Sequence, residues 1–342
     1  MATVKKADKF GHDDLMYANV LEQPFRVHGV WHDGKQFIRI PEDVAKNTNE
    51  GVAILYANTA GGRVRFVTDS EYVAVHAEMT NVGKMGHFAP SGSAGFDVYT
   101  DDAFAGTFIP PYDQADGFDG IVHFEGGRKP RSVTVNFPLY SNVTALYIGL
   151  RKDAYLGEPA PYLYKTPVVY YGSSITQGGC ASRPGLSYQS ILSRKLNTEY
   201  LNLGFSGSCK AEDAMIRYLC ELDMSVFVYD YDHNAPDPNY LANTHEKLYK
   251  ALRFAKPDLP IVLMSRPKFT LNEDDRRRLR IIEKTYDNAK AAGDDNIYLL
   301  DGPALMALAG DEGTVDGCHP NDLGFFSMAY ALEPVLRKLV TG

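Results

Sequence analysis

Pro167-Val168-Val169-Tyr170-Tyr171-Gly172-Ser173-Ser174-Ile175-Thr176-Gln177-Gly178-Gly179 is the stretch on which the reading of this chain turns. It begins with an unbroken apolar run. A strand with one wet face alternates polar and apolar residues, so an unbroken run fits a strand covered on both faces, as in a parallel sheet. The run ends in a Gly/Ser turn, and residues 187–196 beyond it read as a helix. Further along, strands are expected at 199–203, 224–229, 261–264 and 296–300. Helices are expected at 211–222, 240–255, 274–292 and 323–339. In the third of these helices Leu279, Ile282, Tyr286 and Ala289 recur at helical spacing and share one face. Such alternation predicts a parallel sheet between two helix layers, joined by right-handed crossovers. A three-layer α/β domain is therefore expected over 156–342.

Upstream the pattern is different. Short segments rich in β-branched and aromatic residues lie at 52–56, 63–67, 73–77, 95–99, 132–137 and 144–150, separated by Gly, Pro, Asp, Asn and Ser. Arg63-Val64-Arg65-Phe66-Val67 alternates strictly, the period-2 mark of a strand with one buried face. Many short strands at this spacing predict an all-β, jelly-roll-like sandwich over 1–155. Residues 153–166 hold Gly157, Pro159 and Pro161 and no periodicity, and read as a linker.

The 342 residues, 44% hydrophobic, suffice for two cores. A net charge of −8 disfavours a nucleic-acid partner, which needs clustered Lys and Arg. The one basic run, Arg276 to Arg278 with Arg280, alternates with acidic residues and reads as a solvated helix face. The four cysteines include no C-x-x-C pair, so a zinc ribbon has no support. Residues 1–14 show no apolar leader, and no run approaches the ~18 apolar residues of a spanning helix. The expectation is a cytoplasmic protein with free thiols and no membrane partner; the oligomeric state is left open.

In an open parallel sheet ligands bind beyond the carboxyl ends of the strands, so the loops there carry the chemistry. After the first strand stands Ser174, flanked by glycines that allow a sharp turn and close approach of a substrate. It is a candidate nucleophile, although the same loop also suits a plain turn or a phosphate. After the second strand, Gly207 could offer its N–H to a developing oxyanion. After the third, Asn234 is a candidate oxyanion donor. Asp230, Asp232 and His233 beside it admit a metal reading, but no further ligand set of matching spacing stands out. Before the last helix, Asp316 and His319 lie one turn apart, so a carboxylate there could orient an imidazole base. The thiols near these loops, Cys180, Cys209 and Cys318, read as small fillers. His28, Trp31 and His32 read as packing residues of the sandwich rather than sugar contacts.

Together the four blocks resemble the SGNH/GDSL hydrolase family. Gly172-Ser173-Ser174-Ile175-Thr176 is similar to its Gly-Asp-Ser-Ile-Thr block, with Ser173 where Asp is usual. Asn202 to Gly207 resembles its second block, Asp232-His233-Asn234 falls where it has Gly-x-Asn-Asp, and Asp316-x-x-His319-Pro320 matches its last. The resemblance covers about 166–342 and implies a flavodoxin-like SGNH fold. It also implies Ser174, His319 and Asp316 as catalytic residues, Ser174, Gly207 and Asn234 as oxyanion donors, and no metal or cofactor. Gly61-Gly62-Arg63 and Gly95-Phe96-Asp97-Val98-Tyr99 resemble the β-rich domain that precedes some SGNH domains, an architecture similar to carbohydrate esterase family 2. That likeness implies an oligosaccharide or small-molecule acyl ester as substrate, most simply an O-acetyl sugar. A lipid-ester hydrolase is the alternative within enzymes, and a carbohydrate-binding protein with a vestigial hydrolase domain the alternative outside them.

Overall fold

In the computed structural model, which describes residues 9–341, the contacts separate two compact units, and the division is not a single cut near residue 155. Among the described residues the first unit runs to Arg39 and includes Ala57–Pro161 and Ser182–Gly185. The second comprises Ile40–Tyr56, Tyr162–Ala181 and the chain from Leu186 onward. Residues 1–14, read above for a leader, lie partly outside the described residues.

The chain opens with β1 (Leu15–Asn19), β2 (Arg26–His28), β3 (Trp31–His32) and β4 (Phe37–Ile38). Two helices follow, α1 (Glu42–Thr48) and α2 (Glu50–Leu55). Then come β5 (Arg63–Thr68), β6 (Tyr72–Thr80), a one-turn α3 (Pro90–Ser93), β7 (Phe96–Thr100), β8 (Ala103–Phe108), β9 (Gly117–His123), β10 (Arg131–Asn136), β11 (Asn142–Arg151) and β12 (Leu156–Gly157). The strands form two antiparallel sheets, ordered β1-β11-β6-β9 and β12-β5-β10-β7-β8, with β2 against β5. Alternate residues of both, such as Val73, Val75, Ile148, Val64, Phe66, Val98 and Val135, meet in one core, which makes the unit a sandwich. His32 hydrogen-bonds the Thr144 carbonyl at 3.1 Å and sits edge-on to Phe37, as a packing residue would. Trp31, expected to pack, is instead 40% exposed.

Three expectations need correction here. Of residues 52–56, read as a strand, 52–55 belong to α2 and Tyr56 is its C-cap. The side chain of Asn49 accepts from Val52 N and caps that helix, and a five-residue apolar run cannot by itself distinguish strand from helix. The helices α1 and α2 also join the second unit, where Ala45 and Val52 enter its core. The expected linker narrows, because β12 pairs with β5 and the next strand already begins at Tyr164.

The second unit continues with β13 (Tyr164–Gly172), α4 (Ser174–Gln177), α5 (Tyr188–Leu196), β14 (Thr198–Gly204), α6 (Asp213–Glu221), β15 (Val226–Asp230), α7 (Pro238–Ala255), β16 (Ile261–Met264), α8 (Glu273–Ala291), β17 (Ile297–Leu300), α9 (Gly302–Leu305) and α10 (Asp322–Thr341). The sheet is fully parallel with order β14-β13-β15-β16-β17. On one face Val169, Tyr171, Phe227 and Leu263 pack with Met215 of α6, Leu248 of α7 and Ile282 of α8. On the other, Tyr170 meets Tyr188 of α5, which stacks on Phe325 of α10. The result is the expected three-layer α/β arrangement. The basic run on α8 is not wholly solvated: Arg278 is buried and donates to the carbonyls of Asp232 and Ala235 as well as to Asp274. No helix among the described residues is long and apolar enough to cross a membrane.

Candidate active site

Because all five strands run the same way, the loops after β13, β14 and β15 emerge at one edge of the sheet, and the turn before α10 completes the set. Ser174 begins α4. Ser173 caps this short helix by accepting from Ile175 N at 3.2 Å, and Gly178 closes it at φ +101°, a left-handed conformation that favours glycine. The Thr176 carbonyl accepts from the side-chain amides of Gln189 and Asn202, both at 2.7 Å. The nucleophile candidate thus sits on a turn fixed by buried amides, and Ser174 itself is 8% exposed.

Ser174 Oγ lies 2.9 Å from His319 Nε2, and His319 Nδ1 lies 2.8 Å from Asp316 Oδ2. The other oxygen of Asp316 accepts from the backbone N–H groups of Cys318 (3.0 Å) and His319 (2.7 Å). The carboxylate therefore holds both the ring and the backbone of the same histidine. Burial works to raise the Asp316 pKa. The hydrogen bonds from His319 and Cys318 outweigh it and bring the group down to about 2. A hydroxyl, an imidazole and a charged carboxylate in continuous hydrogen-bond contact can move a proton off the hydroxyl and hold the resulting imidazolium.

The two other oxyanion candidates face the same edge. Gly207 adopts φ +69°, and a side chain there would meet nothing within 4 Å, so the turn that carries it is open on its Cβ side. Asn234 donates one amide hydrogen to the Phe205 carbonyl at 3.1 Å, which ties it to that turn and leaves its second amide hydrogen to donate elsewhere. Ser206 N donates to Gln177 Oε1 at 2.9 Å, joining the second loop to the first.

The carboxylates around Asn234 are engaged in other ways. Asp232 accepts from Arg266, through its backbone N–H at 3.2 Å and its Nε at 3.4 Å, so it serves an internal ion pair. Burial, then Arg266, Lys268 and His319, push the His233 pKa down to about 3, and its Nδ1 lies 3.8 Å from Cys318 Sγ. Burial, ahead of Asp316 and Cys318, pushes the Cys180 thiol up to about 12, and Cys318 is raised by burial and Asp316. Both thiols keep their protons at neutral pH, which leaves Ser174 as the group with a base. Sequence reading missed the amides of Gln177, Gln189 and Asn202 that brace these loops. Their only local signal is polar residues placed among buried ones.

A hydroxyl–imidazole–carboxylate relay at the carboxyl edge of a parallel sheet has the groups that acyl transfer needs, and the family match below places the chain among carboxylic ester hydrolases. Comparison with known proteins gives the family. Residues 165–337 match the GDSL-like Lipase/Acylhydrolase family, and residues 15–156 match the N-terminus of SGNH-hydrolase-type esterases. The chain belongs to the GDSL-like lipase/acylhydrolase family. A Bacteroides ovatus protein described as a GDSL-like lipase is 27% identical, with TM-score 0.85 over 96% of this chain and 98% of that one. A salicylyl-acyltransferase from a tetracycline biosynthetic pathway is 19% identical, with TM-score 0.78 over 96% and 98%. A family two carbohydrate esterase from Clostridium thermocellum, in complex with cellohexaose, is 16% identical, with TM-score 0.62 over 82% and 92%. No curated protein matches the chain.

Proposed function

We propose that this ester hydrolase removes short acyl groups, O-acetyl groups on carbohydrate foremost, through an acyl-enzyme formed on Ser174. The observation that carries the assignment is the unbroken relay from Ser174 Oγ through His319 to Asp316, with contacts of 2.9 and 2.8 Å. In this reading His319 takes the serine proton as Oγ attacks the ester carbonyl, and Asp316 stabilises the imidazolium. The Ser174 and Gly207 N–H groups and the Asn234 amide receive the oxyanion, each donor being worth about 10²–10³ in kcat. His319 then returns its proton to the leaving alcohol, and water repeats the cycle on the acyl-enzyme. The carbohydrate substrate is supported by the sandwich-then-α/β architecture shared with the family two carbohydrate esterases, an argument from architecture. Four free thiols suit a reducing compartment, as the cytoplasm is.

The test is hydrolysis of p-nitrophenyl esters from acetate to octanoate, with acetylated sugars alongside, by wild type and Ser174→Ala. Acetyl-selective activity that falls about 10⁴-fold or more in the variant is expected. A preference for long chains would replace the sugar substrate with a lipid ester, and full activity of Ser174→Ala would overturn the nucleophile.

A further inference from the structure

The chemistry above leaves out a buried carboxyl group bonded to the nucleophile turn itself. Asp230 closes β15, and the residue paired with it across the sheet is Gly172, the last of β13. A Cβ at 172 would stand 1.9 Å from Asp230 Oδ1 and 2.3 Å from Thr176 Oγ1. Glycine alone lets the carboxyl cross that position and reach the turn beyond. There Asp230 Oδ1 accepts from Ser173 N at 3.2 Å and from Thr176 Oγ1 at 2.5 Å. These two donors stand on either side of Ser174 in sequence.

The other oxygen, Oδ2, is buried and forms no hydrogen bond among the described residues, in a side chain only 3% exposed. A carboxyl group in such a place is costly to stability. Burial, against the pull of its two donors, raises its pKa to about 7. At neutral pH it is therefore protonated in good part, with Oδ1 still free to accept both bonds.

We propose that Asp230 is a positioning residue of the esterase: by accepting hydrogen bonds from both sides of Ser174, it holds the turn so that the serine hydroxyl stays on His319. The inference rests on Ser174 being the nucleophile. It is a role of hydrogen-bond acceptance, so an Asn side chain, with the same acceptor oxygen and no charge, fills it and an Ala does not. Loss of the acceptor frees the turn, and a displacement of about 1 Å at a reacting group costs about 10- to 100-fold in rate. Substrate contacts are untouched, so the loss falls on kcat and not on KM.

The experiment measures kcat and KM on p-nitrophenyl acetate, and the rate of covalent labelling by a fluorophosphonate. The proteins are wild type, Asp230→Ala, Asp230→Asn, Thr176→Val and Ser174→Ala, each checked for folding by circular dichroism and melting. Asp230→Ala is expected to lose about 10- to 100-fold in kcat, with KM within about twofold and labelling slowed in parallel. Asp230→Asn is expected to return to within about threefold of wild type, and Thr176→Val, which removes one of the two donors, to fall between. If Ser174→Ala keeps wild-type activity, the parent assignment fails and this inference with it. If Ser174→Ala is inactive but Asp230→Ala keeps full kcat, or Asp230→Asn is as slow as Asp230→Ala, the role of Asp230 alone is overturned. Should Asp230→Ala not fold, a folded Thr176→Val with wild-type kcat overturns it equally.

Discussion

Asp316 divides its two oxygens between the His319 ring and the backbone N–H groups of Cys318 and His319, and that division makes a specific prediction. In Asp316→Asn one of the two positions must receive an NH₂. If it faces the backbone, donor meets donor; if it faces the ring, Nδ1 must accept, and the tautomer is wrong for a base at Nε2. The variant is expected to lose about 10²–10⁴-fold in kcat with KM little changed, read from steady-state kinetics on a short-chain ester. With its pKa held down to about 2, the carboxylate is charged throughout the working range.

Where strand passes into helix, the constraint is on backbone space. The β13–α4 junction works because residue 172 has no side chain, while Gly178 ends the helix one turn later in a left-handed conformation. Gly172→Ala would drive its Cβ into the Asp230–Thr176 hydrogen bond and the strand beside it. Stability to urea is expected to fall by about 1–3 kcal/mol, as in overpacked cores. Esterase activity should fall with it, because the displaced atoms hold the serine turn. A variant as stable and as active as wild type would show that the junction has slack that the packing here does not display. Elsewhere, α1 and α2 illustrate an element placed by its partners: Ala45 and Val52 are buried in the core of the α/β unit, far along the chain from its other elements.

For the molecule as a whole, acid should act through histidines buried without charge. His245 is 1% exposed, packed against Tyr229 of β15 and Tyr231 just beyond it, with Nδ1 2.8 Å from Thr285 Oγ1 of α8. Burial pushes its pKa down to about 3. An unfolded histidine takes its proton near 6.5, so between about 6.5 and 3 the unfolded chain binds a proton that the folded chain does not. The stability this histidine allows is present above pH ~6.5 and is lost as pH falls toward 3, by at most about 1.4 kcal/mol per pH unit. His245→Phe keeps a ring between the tyrosines and removes the titration. Urea unfolding at pH 7.5 and pH 5 should show a larger acid loss in wild type than in the variant, and equal losses would exclude His245 as a source.

The alternation of strand and helix in the second half, and five of the six short β segments read before it, were legible locally, because burial on one or two faces leaves a periodicity; the sixth, at 52–56, was not, since so short an apolar run suits a helix equally. The sequence by itself also displayed Ser174, Asp316 and His319, since a nucleophile at a strand end and an Asp one turn from a His are short-range patterns. Other features were decided only by tertiary structure. Among them are the transfer of residues 40–56 to the second unit, the burial of Arg278 against the carbonyls of residues 232 and 235, and the hold of Asn234 on the Phe205 carbonyl. Asp230 is the clearest case. In sequence it is one acid in a polar cluster, where a turn is the plain reading and a metal site finds no matching ligand set. Only parallel pairing sets it opposite Gly172, where a missing Cβ lets its carboxyl reach both sides of Ser174, more than fifty positions earlier in the chain. Local patterns record how much of a residue is covered, whereas the identity of what covers it depends on strand order and register, which no short stretch of sequence contains.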